Sequence, residues 1–359
     1  MSDLPPSPWE NSLDHLTDAV RDLNQYNKAA IADASFEAHI TAQRDELGLD
    51  SAPATQDHAL GRAREHVAAW LIPFLVRADL LALRLQRRFR IISSAMFIMA
   101  AAAVTVVAIQ INFFRGQDWV VSFEVLLLLL LVAIPMLRNR LRLHGRWTPY
   151  RFLAERLRSA YFLALAGTGD RGQQPGQPAS FSDPSVAWIE RALAQIMAAR
   201  PMVRLNATDV VSLRDYLTDH WIGSQVAYHD AASADNHTRE TSLRRITVGL
   251  FAVTLVSAAL HAAGLGPRLH STATLVALSI SVPAIGAAVH GVETQREYRR
   301  HAERCKRMVT QLAQLRDQMS QAQTLSEIRQ IAANVERSMR EESNDWFGVM
   351  RFHDIELIT

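Results

Sequence analysis

The chain has one cysteine, Cys305, among 359 residues, which excludes an internal disulfide framework and every multi-cysteine zinc or iron–sulfur site. Lysine is nearly missing too: Lys28 and Lys306 are the only two, and arginine supplies the rest of the basic charge. A surplus of one charge sign is also lacking, since 38 basic residues face 36 acidic ones for a net +2. A nucleic-acid interface as the main function needs a far larger basic surplus, so nucleic acid is not an expected partner. Catalytic signatures are missing in turn, because no Walker loop, G-x-S-x-G or H-E-x-x-H occurs. The one literal glycine motif, Gly167-Thr-Gly169-Asp-Arg-Gly172, follows a helical pattern rather than a strand. Gln173-Gln-Pro-Gly176 behind it forbids the helix that a dinucleotide site requires, so the motif reads as linker. His220, His229 and His237 never pair at i, i+4 with each other and read as ordinary histidines. Cys305 falls on an apolar seam and reads as packing. The expectation is a protein that is not an enzyme and uses no cofactor and no metal.

What the chain does have is long runs without charge, hidden in a mean hydropathy of −0.01. Residues 91–114 and 246–265 and residues 269–292 carry no Asp, Glu, Lys or Arg, and residues 119–137 carry only Glu124. A helix rising 1.5 Å per residue needs roughly 20 apolar residues to cross the hydrocarbon core, so each run is long enough to span. Core helices of soluble domains seldom go so far uncharged.

The runs come in pairs joined by short turns, Arg115 to Asp118 and Gly266 to Arg268, which forces two antiparallel hairpins. Arginines crowd the outer ends: Arg84, Arg87, Arg88 and Arg90 precede the first run, and Arg138, Arg140, Arg142 and Arg146 follow the second. Arg239, Arg244 and Arg245 precede the third, with Arg296, Arg299 and Arg300 after the fourth. By the positive-inside rule both termini and the middle segment are cytoplasmic. The polar start Met1-Ser-Asp-Leu-Pro-Pro6 shows no cleavable signal peptide.

Outside the runs the pattern is helical. Leu13, Leu16, Val20 and Leu23 share one face, and Leu60, Val67, Leu71, Phe74, Leu75, Ala78 and Leu85 line a long helix toward the first run. Cys305, Met308, Leu312, Leu315, Met319 and Ala322 form an a/d seam, which closes either on its own chain as a hairpin or on a second chain as a coiled coil. Thr324-Leu-Ser-Glu327 spells a capping box before a helix with Ile328, Ile331, Val335 and Met339 on its apolar face.

The chain also repeats itself. Tyr150-Arg-Phe-Leu-Ala-Glu-Arg-Leu-Arg158 matches Tyr298-Arg-Arg-His-Ala-Glu-Arg-Cys-Lys306, and one offset of 148 residues also aligns Pro135 with Pro283. Two hairpins entering from the same side form a parallel duplication. Arg151, Glu155 and Arg158, like Arg299, Glu303 and Lys306, fall on one helix face. They form either a solvated salt-bridge ladder or a stalk contact beside Tyr150 and Tyr298. Thr148-Pro149 predicts a new helix before the first copy, whereas the second is expected to continue straight out of the fourth run.

At membrane depth the second hairpin carries Thr254, Ser257, His261, Thr274, Ser279 and Ser281. Ala273, Ala277 and Ser281 form a small-residue stripe suited to close helix approach. Glu124 is costly in lipid unless paired or hydrated, and either snorkels from its place near Trp119 or lines a pore.

The fold class that follows is an all-α integral membrane protein, with two antiparallel transmembrane hairpins in parallel pseudo-repeat and long cytosolic helices. Its parts are an N-terminal segment (1–58), a first two-span unit (59–166), a linker (167–184), a second two-span unit (185–322) and a C-terminal helix and tail (323–359).

Arg77-Ala-Asp-Leu-Leu-Ala82 with Gln86, Trp221-Ile-Gly-Ser-Gln225 with Tyr228-His229, and the Tyr-x4-Glu after each hairpin resemble the SLATT superfamily. So does Glu336-Arg-x-Met339 with Glu342 and Trp346. The resemblance spans residues 60–350 as two tandem units. SLATT proteins are bacterial two-helix membrane effectors found beside cyclic-nucleotide synthases and SLOG sensor domains in conflict and anti-phage systems. The resemblance implies a multi-pass protein of the bacterial inner membrane that forms homo-oligomers and breaches the bilayer. A cytosolic nucleotide or sensor protein is the implied trigger, although no SLOG sensor or nucleotidyltransferase is fused to this chain. The other reading is a non-enzymatic membrane-anchored scaffold or sensor subunit.

Overall fold

The computed structural model describes residues 21, 23–50, 59–114, 116–141, 143–167, 187–203, 205, 207–268 and 270–355. The expected face of Leu13, Leu16 and Val20 lies outside the described residues, as do Arg115, Arg142 and the linker with Gly169 and Gly172. Among the described residues every regular element is helical. In chain order the longer ones are α1 (Asp33–Glu46), α2 (Ala59–Phe113), α3 (Asp118–Leu141), α4 (Leu143–Ala166) and α5 (Ala187–Ala198). They continue as α6 (Val210–Tyr216), a π-helical turn (Leu217–Gly223), α7 (Ser224–Ala262), α8 (Leu265–Arg268), α9 (Thr272–Arg296), α10 (Tyr298–Gln321) and α11 (Leu325–Ile355). Four of these helical stretches are long and apolar enough to cross a membrane, and they hold most of each of the four apolar runs. The protein is an all-α membrane protein.

The chain divides into two compact units. The first comprises Met1–Gln86, His144–Ala227 and Met308–Thr359, the second Arg87–Leu143 and Tyr228–Arg307. Helices α2, α7 and α10 each give one segment to each unit.

The first unit is built as a water-soluble bundle is built. Leu71, Leu75, Leu153, Leu157, Leu165, Leu213, Trp188 and Trp221 are fully enclosed, and each such side chain contributes roughly 1.5–3 kcal/mol by leaving water. The seam of α10 is filled from its own chain: Met308, Leu312, Met319 and Ala322 are buried in one core with Ile328, Ala332, Val335 and Met339 of α11. The hairpin alternative therefore holds for this seam. The turn between the two helices is the expected capping box, in which the Glu327 N–H donates to Thr324 Oγ1 at 3.2 Å and Glu327 Oε2 accepts from the Thr324 N–H at 3.2 Å. One core assignment fails, because Phe74 is 41 % exposed although it shares the helical period of its neighbours. Helical spacing gave a face wider than the one that α2 buries.

In the second unit the order is reversed. Leu126, Leu129, Val132, Phe251 and Leu255 project outward, a pattern that suits lipid and would be costly in water. Polar groups turn inward on their own helices. The hydroxyls of Thr105, Thr254 and Ser279 donate to the carbonyls of Ala101, Leu250 and Leu275 at 2.8–2.9 Å. Of the apolar stretch of the second span only 6 % is buried within the chain, against 28 % for the fourth, so α9 is the more enclosed of the two.

Two helix boundaries differ from expectation. Helix α4 begins at Leu143, not at Thr148, and holds Pro149 inside it. Pro149 has no N–H to donate to the Gly145 carbonyl, and Gly145 is exposed, so that carbonyl is open to solvent rather than enclosed. The second copy does not continue straight out of α9 either. Glu297 adopts φ +47° and ends that helix, its N–H bonded to Glu293 O at 3.1 Å. A left-handed residue with a side chain costs about 1–2 kcal/mol, and here Arg300 Nη1 holds the Glu297 carboxylate at 2.6 Å.

Candidate functional site

Several of the residues that carried the family resemblance, Arg77, Trp221 and Glu336 among them, serve as supports of the first unit. Helix α2 presents Arg77, whose guanidinium donates to the carbonyls of Tyr26, Asn27 and Ala29 at 2.6, 2.9 and 3.0 Å. These carbonyls end a short helical turn and need donors, which a basic side chain supplies. Burial pushes the Tyr26 phenol up to about 12, with Arg77 acting the other way. Trp221 stacks on Phe162 with centroids 5.0 Å apart and planes 6° from parallel. Glu336 accepts from Arg156 at 2.6 Å, both largely enclosed.

The two copies of the repeated motif have diverged in use. In the first, Tyr150 is buried edge-on against Tyr26 and Trp188 at 5.2 and 5.7 Å, and Glu155 pairs with Arg158. Burial raises the nearby Asp79 carboxyl, and the Arg158 charge opposes that rise. Arg151, Glu155 and Arg158 thus belong to a partly enclosed charge network. In the second copy, Arg299 and Glu303 pair at 3.0 Å in the open, and Lys306 is exposed. Tyr298 is half-buried near Arg239, which Asp235 holds at 2.9 Å.

A further polar cluster in the first unit has no signature in the sequence. Arg64 is buried, and among the described residues no carboxylate pairs with it. Its Nη2 donates to Leu47 O and Gly48 O at 2.9 and 2.6 Å, and its guanidinium lies 4.1 Å above the Tyr216 ring. Neutral oxygens and an aromatic face together offset part of the cost of enclosing that charge. The Tyr216 hydroxyl donates to the same Leu47 carbonyl at 3.0 Å and lies 3.3 Å from the Tyr161 hydroxyl. His220 packs on Gly48 so closely that a Cβ there would fall 2.5 Å from its ring, and Gly48 has φ +62°. Burial, then Arg64, holds the His220 ring below its usual pKa. The cluster holds no nucleophile paired with a base. It clamps the loop after α1 to the π-helical turn.

The candidate residues of the second unit fall into two groups. Ser257, Ala277 and Ser281 are buried and Ala273 is half-buried. The small stripe is therefore used within the chain, which leaves little of it for a second copy. Glu124 is half-buried on α3 and His261 is exposed near the end of α7. No basic side chain among the described residues pairs with Glu124. The same unit holds a groove of about 490 Å³, walled by Ile98, Ala101 and Thr105 of α2, Leu243 of α7, and Ala288 and Val292 of α9, with none of these candidate residues in its wall. Gly291 permits the approach of α2 and α9, since a Cβ on it would stand 2.4 Å from the Phe97 ring. Among the described residues no three His, Cys, Asp or Glu side chains converge as metal ligands.

Residues 216–346 match the family model described as the SMODS and SLOG-associating 2TM effector domain 1. No curated protein and no solved structure matches the chain. The match starts in α6 and runs through the second hairpin into α11, and the first hairpin lies outside it. The matched stretch contains two spans, the stacked Trp221 and the enclosed Glu336, and residues 216–346 are thus similar to the SLATT effector domain.

Proposed function

We propose that the protein is an effector of the bacterial inner membrane that assembles into homo-oligomers and permeabilises the bilayer on a cytosolic signal, in anti-phage or conflict defence. The match of residues 216–346 to a two-span effector domain carries this reading. The arginines at the outer ends of all four spans support cytoplasmic termini. Helix α7 supports a mechanical route, because one unbroken helix from Ser224 to Ala262 joins the Trp221 region to the third span. A membrane span offers little chemistry, so two packings of these helices would carry the activity. The burial of Ala277 and Ser281 moves the proposed contacts between subunits away from the small stripe, onto the outward leucine faces and the outer helices.

One observation favours the scaffold reading instead. Thr105, Thr254 and Ser279 satisfy their hydroxyls on their own helices and do not need a water-filled path. Induced expression with a potential-sensitive dye separates the two. An effector depolarises the cells, and Trp221→Ala removes the effect while the chain still inserts. An unchanged potential at full expression and under phage challenge, with a monomer on purification, leaves the scaffold.

A further inference from the structure

The 490 Å³ groove of the second unit lies within the range of about 300–1,000 Å³ typical of small-molecule sites. Its lining has almost nothing to offer a polar ligand. The single hydroxyl, that of Thr105, is committed to the Ala101 carbonyl at 2.8 Å. Residues 98, 101 and 105 recur at one face of α2, and 288 and 292 at one face of α9, so the groove runs along both helices. From residue 98 to residue 106 the helix rises about 12 Å, close to the roughly 15 Å depth of one hydrocarbon leaflet. Ala101, Ala102 and Ala288 make the hollow, and the exposed Ile98 and Ile285 form its rims.

One helical turn beyond the groove stands a charge that has no acidic partner among the described residues. Arg296 follows Val292 by four residues and Ser94 precedes Ile98 by four, so the pair lies directly past the end of the hollow. Arg296 Nη2 donates to Ser94 Oγ at 3.0 Å and to the Arg90 carbonyl at 3.1 Å. Among the described residues no carboxylate pairs with this half-buried guanidinium. Both nearby acids are engaged elsewhere, Glu293 with His290 and Glu297 with Arg300. An apolar slot one leaflet long that ends at a fixed cation bonded only to neutral oxygens has the shape and charge of a phospholipid seat.

We propose that this groove holds one acyl chain of an anionic phospholipid of the cytosolic leaflet, with the lipid phosphate at Arg296. The free Nη1 and Nε of that guanidinium supply the fork that binds phosphate oxygens. The seat ties α2 to α9, so its occupancy sets how those two helices pack. Its place in the cytosolic leaflet rests on the topology proposed above.

The test uses the full chain in vesicles of phosphatidylcholine with a trace of phosphatidylglycerol whose acyl chain carries a diazirine. Illumination and peptide mapping should place adducts on residues 98–106 and 285–292 several-fold above residues 119–136. Unlabelled phosphatidylglycerol should compete, and extra phosphatidylcholine should not. Arg296→Gln should cut groove labelling several-fold, and Ala288→Phe should abolish it while labelling of residues 119–136 persists, which shows that the variant is still inserted. Equal labelling of groove and outer faces overturns the seat, and equal competition by the two lipids overturns the role of Arg296. Labelling reads contact in either orientation and without any leak, so its failure leaves the effector reading intact. A failed depolarisation assay likewise leaves the seat intact.

Discussion

The two units solve opposite problems with the same side chains. In the first, tryptophan, tyrosine and leucine are enclosed, and arginines reach across to backbone carbonyls, as Arg64 and Arg77 do. In the second, Leu129 is 63 % and Leu255 72 % exposed, while the polar hydroxyls fold back on their own helices. Burial stabilises the first because water surrounds it. The second has no such gain from enclosing leucine in lipid, so close backbone approach at Gly291 and Ala277 takes over. The difference shows that hydrophobicity reports the solvent of a segment, and small residues report its packing.

Substitutions can break that contrast. The largest effect is expected at Trp221→Ala, which empties a fully enclosed, stacked site and should destabilise the first unit by about 3–5 kcal/mol. Denaturant melts of detergent-solubilised protein by circular dichroism should show an early transition, with the span helices retained. A shared, unchanged transition would mean that the units do not differ in this way. Next comes Gly291→Ala, whose methyl meets the Phe97 ring and should cost about 1–3 kcal/mol of helix packing. Phe97→Leu should rescue it, read as recovery of the upper thermal transition, and absence of rescue would place the strain elsewhere.

The smallest effect concerns pH. His220 has its folded pKa lowered, first by burial and then by Arg64, so the fold favours the neutral ring. Its contribution is present above the unfolded value of about 6.5 and is lost as pH falls through and below it. The melting temperature of the first unit should therefore drop modestly between about pH 7.5 and pH 5.5, in the range where histidine titrates. His220→Gln should flatten that slope, and an unaltered slope would assign it to another group.

Much of this was written in local sequence. The spans, the capping box at Thr324 and the seam from Met308 to Ala322 depend on neighbours within a few residues, and pattern alone locates them. What stayed hidden depends on distance. Arg64 finds its partners at Leu47, Gly48 and Tyr216, and no spacing rule ties those positions together. Phe74 kept the helical period yet faces outward, because the width of the buried face is set by the partners packed on it. The groove at Ala101 and Ala288 was illegible for the same reason, whereas the small stripe was visible and only its use inside the chain was not.

The π-helical turn at Leu217–Gly223 has a bearing on how the chain tolerates length changes. The Ser224 N–H reaches back five residues to Asp219 O instead of four, so the turn stores one surplus residue within an otherwise α-helical path. A deletion inside the turn can be absorbed by reverting to α-geometry, and the faces of α7 keep their phase. The same deletion a few positions later, inside α7, rotates everything beyond it by about 100°. It would swing Phe251 and Leu255 off their outward bearing and carry Ser257 out of cover. Length in this region is thus elastic on one side of Ser224 and rigid on the other.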